Sequence, residues 1–117
     1  MTKRYTTLKE LASLTLSGST SGVVACDDYD VSDYAEGLLF PYISALTGVG
    51  TIVFTYELSP DGTNFAAPAS NTIGTIASVS YGAPLAITNF GQYIRVKYNA
   101  TGAFTAMTAG VKFMVKD

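Results

Sequence analysis

Apolar residues recur at every second position in several short stretches of this chain, and residues suited to turns separate them. Ser13-Leu14-Thr15-Leu16-Ser17 alternates as a strand with one buried face does, and Gly18-Ser19-Thr20-Ser21-Gly22 ends it. Val23-Val24-Ala25-Cys26 reads as a short buried strand. Leu38 to Leu46 is a strand candidate with Pro41 near its middle; a proline cannot donate to a central ladder, so the pattern predicts an edge strand or a bulge there. Thr51 to Leu58 is the strongest strand, rich in β-branched and aromatic residues. Thr72 to Ser80 predicts a strand kinked at Gly74, and Leu85-Ala86-Ile87 a short one before a turn at Asn89-Phe90-Gly91. Gln92 to Tyr98 sets Tyr93, Arg95 and Lys97 against Ile94, Val96 and Tyr98. Ala109 to Lys116 sets Val111, Phe113 and Val115 against Lys112, Met114 and Lys116.

Directly after the strongest strand comes Ser59-Pro60-Asp61-Gly62-Thr63-Asn64-Phe65. Proline presets φ and glycine accepts positive φ, so Pro60, Asp61 and Gly62 predict a tight structural turn joining two strands. Seven to nine short strands with turns every 8 to 12 residues describe an all-β fold, an antiparallel β-sandwich of jelly-roll or immunoglobulin-like type. The expected core is Leu14, Leu16, Val24, Ile52, Phe54, Ile94, Val96, Val111, Phe113 and Val115. Residues 1–11 show no core pattern and read as a short N-terminal arm or a first helical turn over Thr7 to Ala12, ahead of one sandwich domain at 12–117. The arm holds Lys3, Arg4 and Lys9, three of the seven basic side chains, and suits attachment to a partner.

The 117 residues fit one domain, and 48% hydrophobic content with 8 Tyr and 6 Phe suffices for a core. The net charge of −2 argues against nucleic acid as a partner, since phosphate backbones are met by clustered Lys and Arg. No apolar run reaches the roughly 18 residues of a membrane-spanning helix, and no apolar stretch of a secretion signal follows the early positive charges. The expectation is no membrane association, with synthesis and folding in a cytoplasm. Cys26, the single cysteine, reads as a small apolar filler: it has no His partner, and Asp27 and Asp28 would raise its pKa.

Chemistry-bearing residues are sparse. The chain has no His and no Trp. Asp27, Asp28, Asp30, Asp33 and Glu36 crowd one segment, which reads either as a calcium site, with Asp27, Asp28, Asp30 and Asp33 as the candidate ligands, or as a solvated acidic loop. The spacing lacks the glycine and distal Glu of an EF-hand, so the solvated loop is preferred and no metal or other cofactor is expected. The remaining carboxylates, Glu10, Glu57, Asp61 and Asp117, are isolated, and Asp61 is explained by its turn. Without His or a carboxylate pair in contrasting environments, the chain reads as a non-enzyme with no catalytic residues; a small hydrolase using Glu57 is the least favoured of three readings. Asn99-Ala100-Thr101 matches a glycosylation pattern that has meaning only after secretion.

Tyr56-Glu57-Leu58-Ser59-Pro60-Asp61-Gly62-Thr63-Asn64-Phe65, then Gly91-Gln92-Tyr93-Ile94-Arg95-Val96-Lys97 and a closing Val111 to Lys116, resemble a pattern in small β-sandwich virion structural proteins of tailed bacteriophages. There a Y-E-x-S-x-D-G hairpin precedes an aromatic residue and a G-x-Y-x-R-V strand comes late. The resemblance covers Gly50 to Asp117. It implies a virion component, foremost a capsid decoration or cement protein, alternatively a tail or head–tail connector component. It also implies the major capsid protein or other virion proteins as partners, a homo-oligomeric state, and a virion location after synthesis in the bacterial host cytoplasm. Similar strand–turn–strand patterns occur in fibronectin-like and carbohydrate-binding sandwiches, where Trp often replaces Phe65. A carbohydrate- or cell-surface-binding module is therefore the alternative, expected to expose a cluster of Tyr such as Tyr29, Tyr34 and Tyr42.

Overall fold

The computed structural model describes residues 5–23, 29–30, 36–68, 70–87 and 93–116. Among them it is all-β: β1 (Tyr5–Leu16), β2 (Thr20–Val23), β3 (Tyr29–Asp30), β4 (Glu36–Thr47), β5 (Gly50–Ser59), β6 (Thr72–Ile76), β7 (Ser80–Tyr81), β8 (Leu85–Ile87), β9 (Tyr93–Gly102) and β10 (Ala106–Lys116). Two antiparallel sheets stack as a β-sandwich. In the first, β1, β10 and β4 are neighbours in that order, and both β7 and β8 pair with the far side of β4. In the second, β2 and β3 both pair with β9, followed by β5 and β6.

Period-two burial builds the core between them. Ile52, Phe54 and Tyr56 of β5 and Ile94 and Val96 of β9 face Leu39 and Ile43 of β4 and Met107, Ala109, Val111 and Phe113 of β10, all buried in one cluster. Six of the expected core residues, Ile52, Phe54, Ile94, Val96, Val111 and Phe113, are in it; Leu14 and Leu16 pack against it only partly buried. Val24 and the side chain of Val115 lie outside the described residues.

Three expectations change. Pro41 sits in an inner strand, not at an edge, because the neighbour beyond it is interrupted: β8 pairs with Gly37 to Leu39 and β7 with Tyr42 and Ile43. The Pro41 carbonyl accepts from Gly82 N–H at 2.8 Å in the connection between these two strands, so the missing proline N–H falls on the broken side and costs no bond to β10. The other half of that expectation holds: β4 carries a ladder irregularity, after Pro41, where the pairing shifts between Thr108 and Ala109. Second, Tyr5 to Leu11 of the expected arm belong to β1, the strand that closes the free side of β10. Register shifts between Thr7 and Lys9 and between Glu10 and Ala12 break the alternation that would have announced a strand. Third, Thr20 to Gly22 are ladder residues of β2 and not turn, leaving Ser17 to Ser19 for the bend.

Two of the connections that pass between the sheets, β4 to β5 and β9 to β10, lie at one end. Gly50 pairs with Gly102 there, Thr105 N–H donates to the Thr47 carbonyl at 2.9 Å, and Phe104, 3% exposed, plugs the corner.

Candidate functional site

The outward side chains of β5 and β9 meet in register: Val53 opposite Asn99, Thr55 opposite Lys97, Glu57 opposite Arg95. Arg95 donates through Nε and Nη2 to Glu57 Oε1, both at 2.8 Å, and its guanidinium lies 4.1 Å from the centre of the Phe65 ring. Lys97 stands farther off, its Nζ 3.9 Å from Glu57 Oε2. One carboxylate thus serves two cations, and the cluster carries an excess positive charge. Glu57, the hydrolase candidate, is held as a cross-strand ion-pair partner with no second carboxylate on its ladder position.

Beyond β5, the predicted turn is a small polar knot. The buried Ser59 hydroxyl donates to Asp61 Oδ1 at 3.0 Å and accepts from the N–H groups of Asp61 and Gly62, at 3.2 and 2.8 Å. Asp61 Oδ1 accepts from the N–H groups of Thr63 and Asn64, each at 2.8 Å, and Oδ2 from Asn64 Nδ2 at 2.9 Å. Gly62 has φ of +79°, with Tyr93 against it, and a bridge between Leu58 and Ala66 closes the loop. The loop is wider than a two-residue hairpin turn, because the Asp61 carboxylate ties Ser59 to Thr63 and Asn64.

Those donated bonds, first from the Asn64 and Thr63 backbones, then from the Asn64 side chain and Ser59, hold the Asp61 carboxyl far below the usual carboxylate range. Its folded pKa lies below the unfolded value of about 3.9, so the stabilisation is complete above that value and disappears as pH falls through the folded one. Asp61→Ala is expected to melt below wild type at pH 7, with the difference shrinking when both are melted at progressively lower pH beneath about 4. A difference constant from pH 7 to pH 2 would show that the ionised carboxylate does not hold the turn.

On the same outer face, Ser21, Gly22, Val53, Thr55, Lys97, Tyr98 and Asn99 line an open groove of about 480 Å³. The register sets Ser21, Asn99, Val53 and Thr75 in one row across β2, β9, β5 and β6. The first sheet presents a different outer face. Leu38, Phe40 and Met114 are partly exposed there, Leu38 paired with Met114 and Phe40 with Lys112. Next to them Tyr42 and Tyr81 stack at 5.2 Å, with Lys112 Nζ 5.5 and 5.4 Å from their ring centres. Tyr81 is 56% exposed and Val79 58%.

The sequence-predicted candidates fare unevenly. Pro60, Asp61 and Gly62 come together in the turn. Of the acidic candidates, Asp27, Asp28 and Asp33 lie outside the described residues, and Asp30 pairs with Tyr93 through the backbone of β3; among the described residues no group of three potential metal ligands occurs. Lys3 and Arg4 also lie outside, while Lys9 is in β1 opposite Phe113. The expected Tyr cluster is corrected at Tyr42, which is 7% exposed because Tyr81 and Lys112 cover it; Tyr34 and the side chain of Tyr29 are outside the described residues. The groove and the apolar outer face were not foreseen. The second had a signal, since Leu38-Leu39-Phe40-Pro41-Tyr42-Ile43 is apolar at both parities, the pattern of a strand covered on both faces. No family model, no curated protein and no solved structure matches the chain.

Proposed function

We propose that this chain is a non-enzymatic structural component of a tailed-phage virion, a capsid decoration or cement protein that works as a homo-oligomer or as a symmetric layer on the major capsid protein. The observation that supports it is the contrast between the two outer faces. The second sheet turns Thr55, Glu57, Arg95, Lys97 and Asn99 outward, whereas the first turns out Leu38, Phe40, Met114 and Tyr81 around one lysine. A contiguous apolar face on a small sandwich is the usual mark of a surface that a protein neighbour covers. In an array of identical copies such a face repeats by symmetry, which suits a protein whose work is to be a surface. The resemblance over Gly50 to Asp117 points the same way: its Glu57, Phe65 and Arg95 are engaged with one another, and its Asp61 with the turn around it.

Light scattering on the chromatographed protein is expected to give an oligomer that Phe40→Glu or the milder Tyr81→Ser converts to monomer with an unchanged circular dichroism spectrum. A wild-type chain that stays monomeric at every concentration and fails to add to capsid shells would end this reading.

The alternative, a carbohydrate- or cell-surface-binding module, is favoured by a separate observation, the groove on the polar face.

A further inference from the structure

We propose that the groove over β2, β9 and β5 binds an acidic sugar residue, a polyhydroxylated ring bearing one carboxylate. This deepens the alternative, carbohydrate-binding reading and does not depend on the virion role. The first support is that three of the groove's neutral polar side chains are not engaged by the protein. Among the described residues, Ser21, Thr55 and Asn99, which line the groove, make no side-chain hydrogen bond within the protein. A hydroxyl or amide both donates and accepts, which is what vicinal sugar hydroxyls require.

The second support is charge. Glu57 Oε1 takes both bonds from Arg95, and Arg95 is further fixed on Phe65, so Arg95 is not available to a ligand. Lys97 has only the 3.9 Å approach to Glu57, its side chain is 44% exposed, and it lies in the groove lining. The unmatched positive charge is therefore located on Lys97 and calls for one anionic group, not two. The third support is shape. Val53 gives the floor an apolar spot for the C–H face of a ring, flanked by Asn99 on one side and Thr75 on the other. The volume of about 480 Å³ falls in the range of small-ligand sites, about 300 to 1,000 Å³.

The test is a titration of the ¹⁵N-labelled full chain, followed by amide chemical shifts, with sodium glucuronate, glucose and sodium phosphate in parallel. Glucuronate is expected to move the amides of Val53, Thr55, Lys97 and Asn99 saturably at millimolar concentration. Glucose, which lacks the carboxylate, should bind about tenfold more weakly, and Lys97→Met should weaken glucuronate by about the same factor while leaving glucose unchanged. Asn99→Ala should weaken both sugars. Absence of shifts at these amides, equal affinity for glucose and glucuronate, or phosphate binding as tightly as glucuronate would each overturn the proposal, the last by showing an anion site with no sugar recognition. None of these outcomes bears on the oligomeric state, so the virion reading stands or falls separately.

Discussion

Phe54→Ala and Phe113→Ala are each expected to remove about 3 to 5 kcal/mol of stability, the largest loss that single substitutions in this chain should produce. Both rings are fully buried, one on β5 and the other on β10, so they belong to opposite sheets and to one core. Truncating either leaves a void bounded by two layers that the ladders hold apart, and neither layer can collapse without moving its neighbours. Against a typical total of about 5 to 15 kcal/mol, either change is a large fraction. Urea unfolding followed by circular dichroism would measure it, with Val49→Ala, at a residue 79% exposed, as a control expected within about 0.5 kcal/mol of wild type. A loss below about 1 kcal/mol at Phe54 or Phe113 would mean the ring is not in the core.

Gly102→Ala is the second large effect, through the backbone. Gly102 has φ of +117°, and a Cβ there would stand 2.7 Å from the Val49 carbonyl oxygen and 2.8 Å from Gly50 Cα. The backbone conformation alone costs a side chain about 1 to 3 kcal/mol, and the opposing atoms are main chain that cannot swing aside. The expected loss is about 2 to 4 kcal/mol, combining that strain with the cost of displacing the β4–β5 connection. Gly18→Ala is the matched control, since a Cβ at Gly18 meets nothing within 4 Å. Equal melting temperatures for the two variants would show that the β4–β5 and β9–β10 connections are not packed on each other.

How much of this was legible beforehand depended on whether one local rule governed each segment. In β5, β9 and β10 one face is core and the other is not, so period two placed Phe54, Ile94, Val96, Val111 and Phe113 correctly. The turn at Pro60 to Gly62 could be read because proline and glycine state their backbone angles directly, and Gly62 does take positive φ. What the one-dimensional pattern could not carry was the identity of neighbours. Pro41 suggests an edge or a bulge; β4 does carry a ladder irregularity, but nothing local reveals that it is an inner strand whose far neighbour is split into β7 and β8 around Gly82. The two bulges of β1 hid a strand within an apparently patternless arm. The groove is assembled from β2, β5 and β9, which lie tens of residues apart, and its recognition chemistry depends on which hydroxyls lack partners, a property of the fold and not of any motif.

The position of β10 between β1 and β4 has a consequence for how the chain is made. Of these ten strands β10 is the last to leave the ribosome, yet it is the one that links the first strand to the fourth. Until it arrives, β1 has no ladder partner in its sheet, and β4, apolar on both faces, waits with one long edge open. The second sheet, by contrast, can zip β5 to β6 and then to β9 as those strands emerge. Folding should therefore be vectorial in one layer and delayed in the other. The interval is one in which an unfinished chain offers β4 to any strand at hand, including that of another nascent copy, and slow translation of the final segment should raise aggregation where slow translation elsewhere does not.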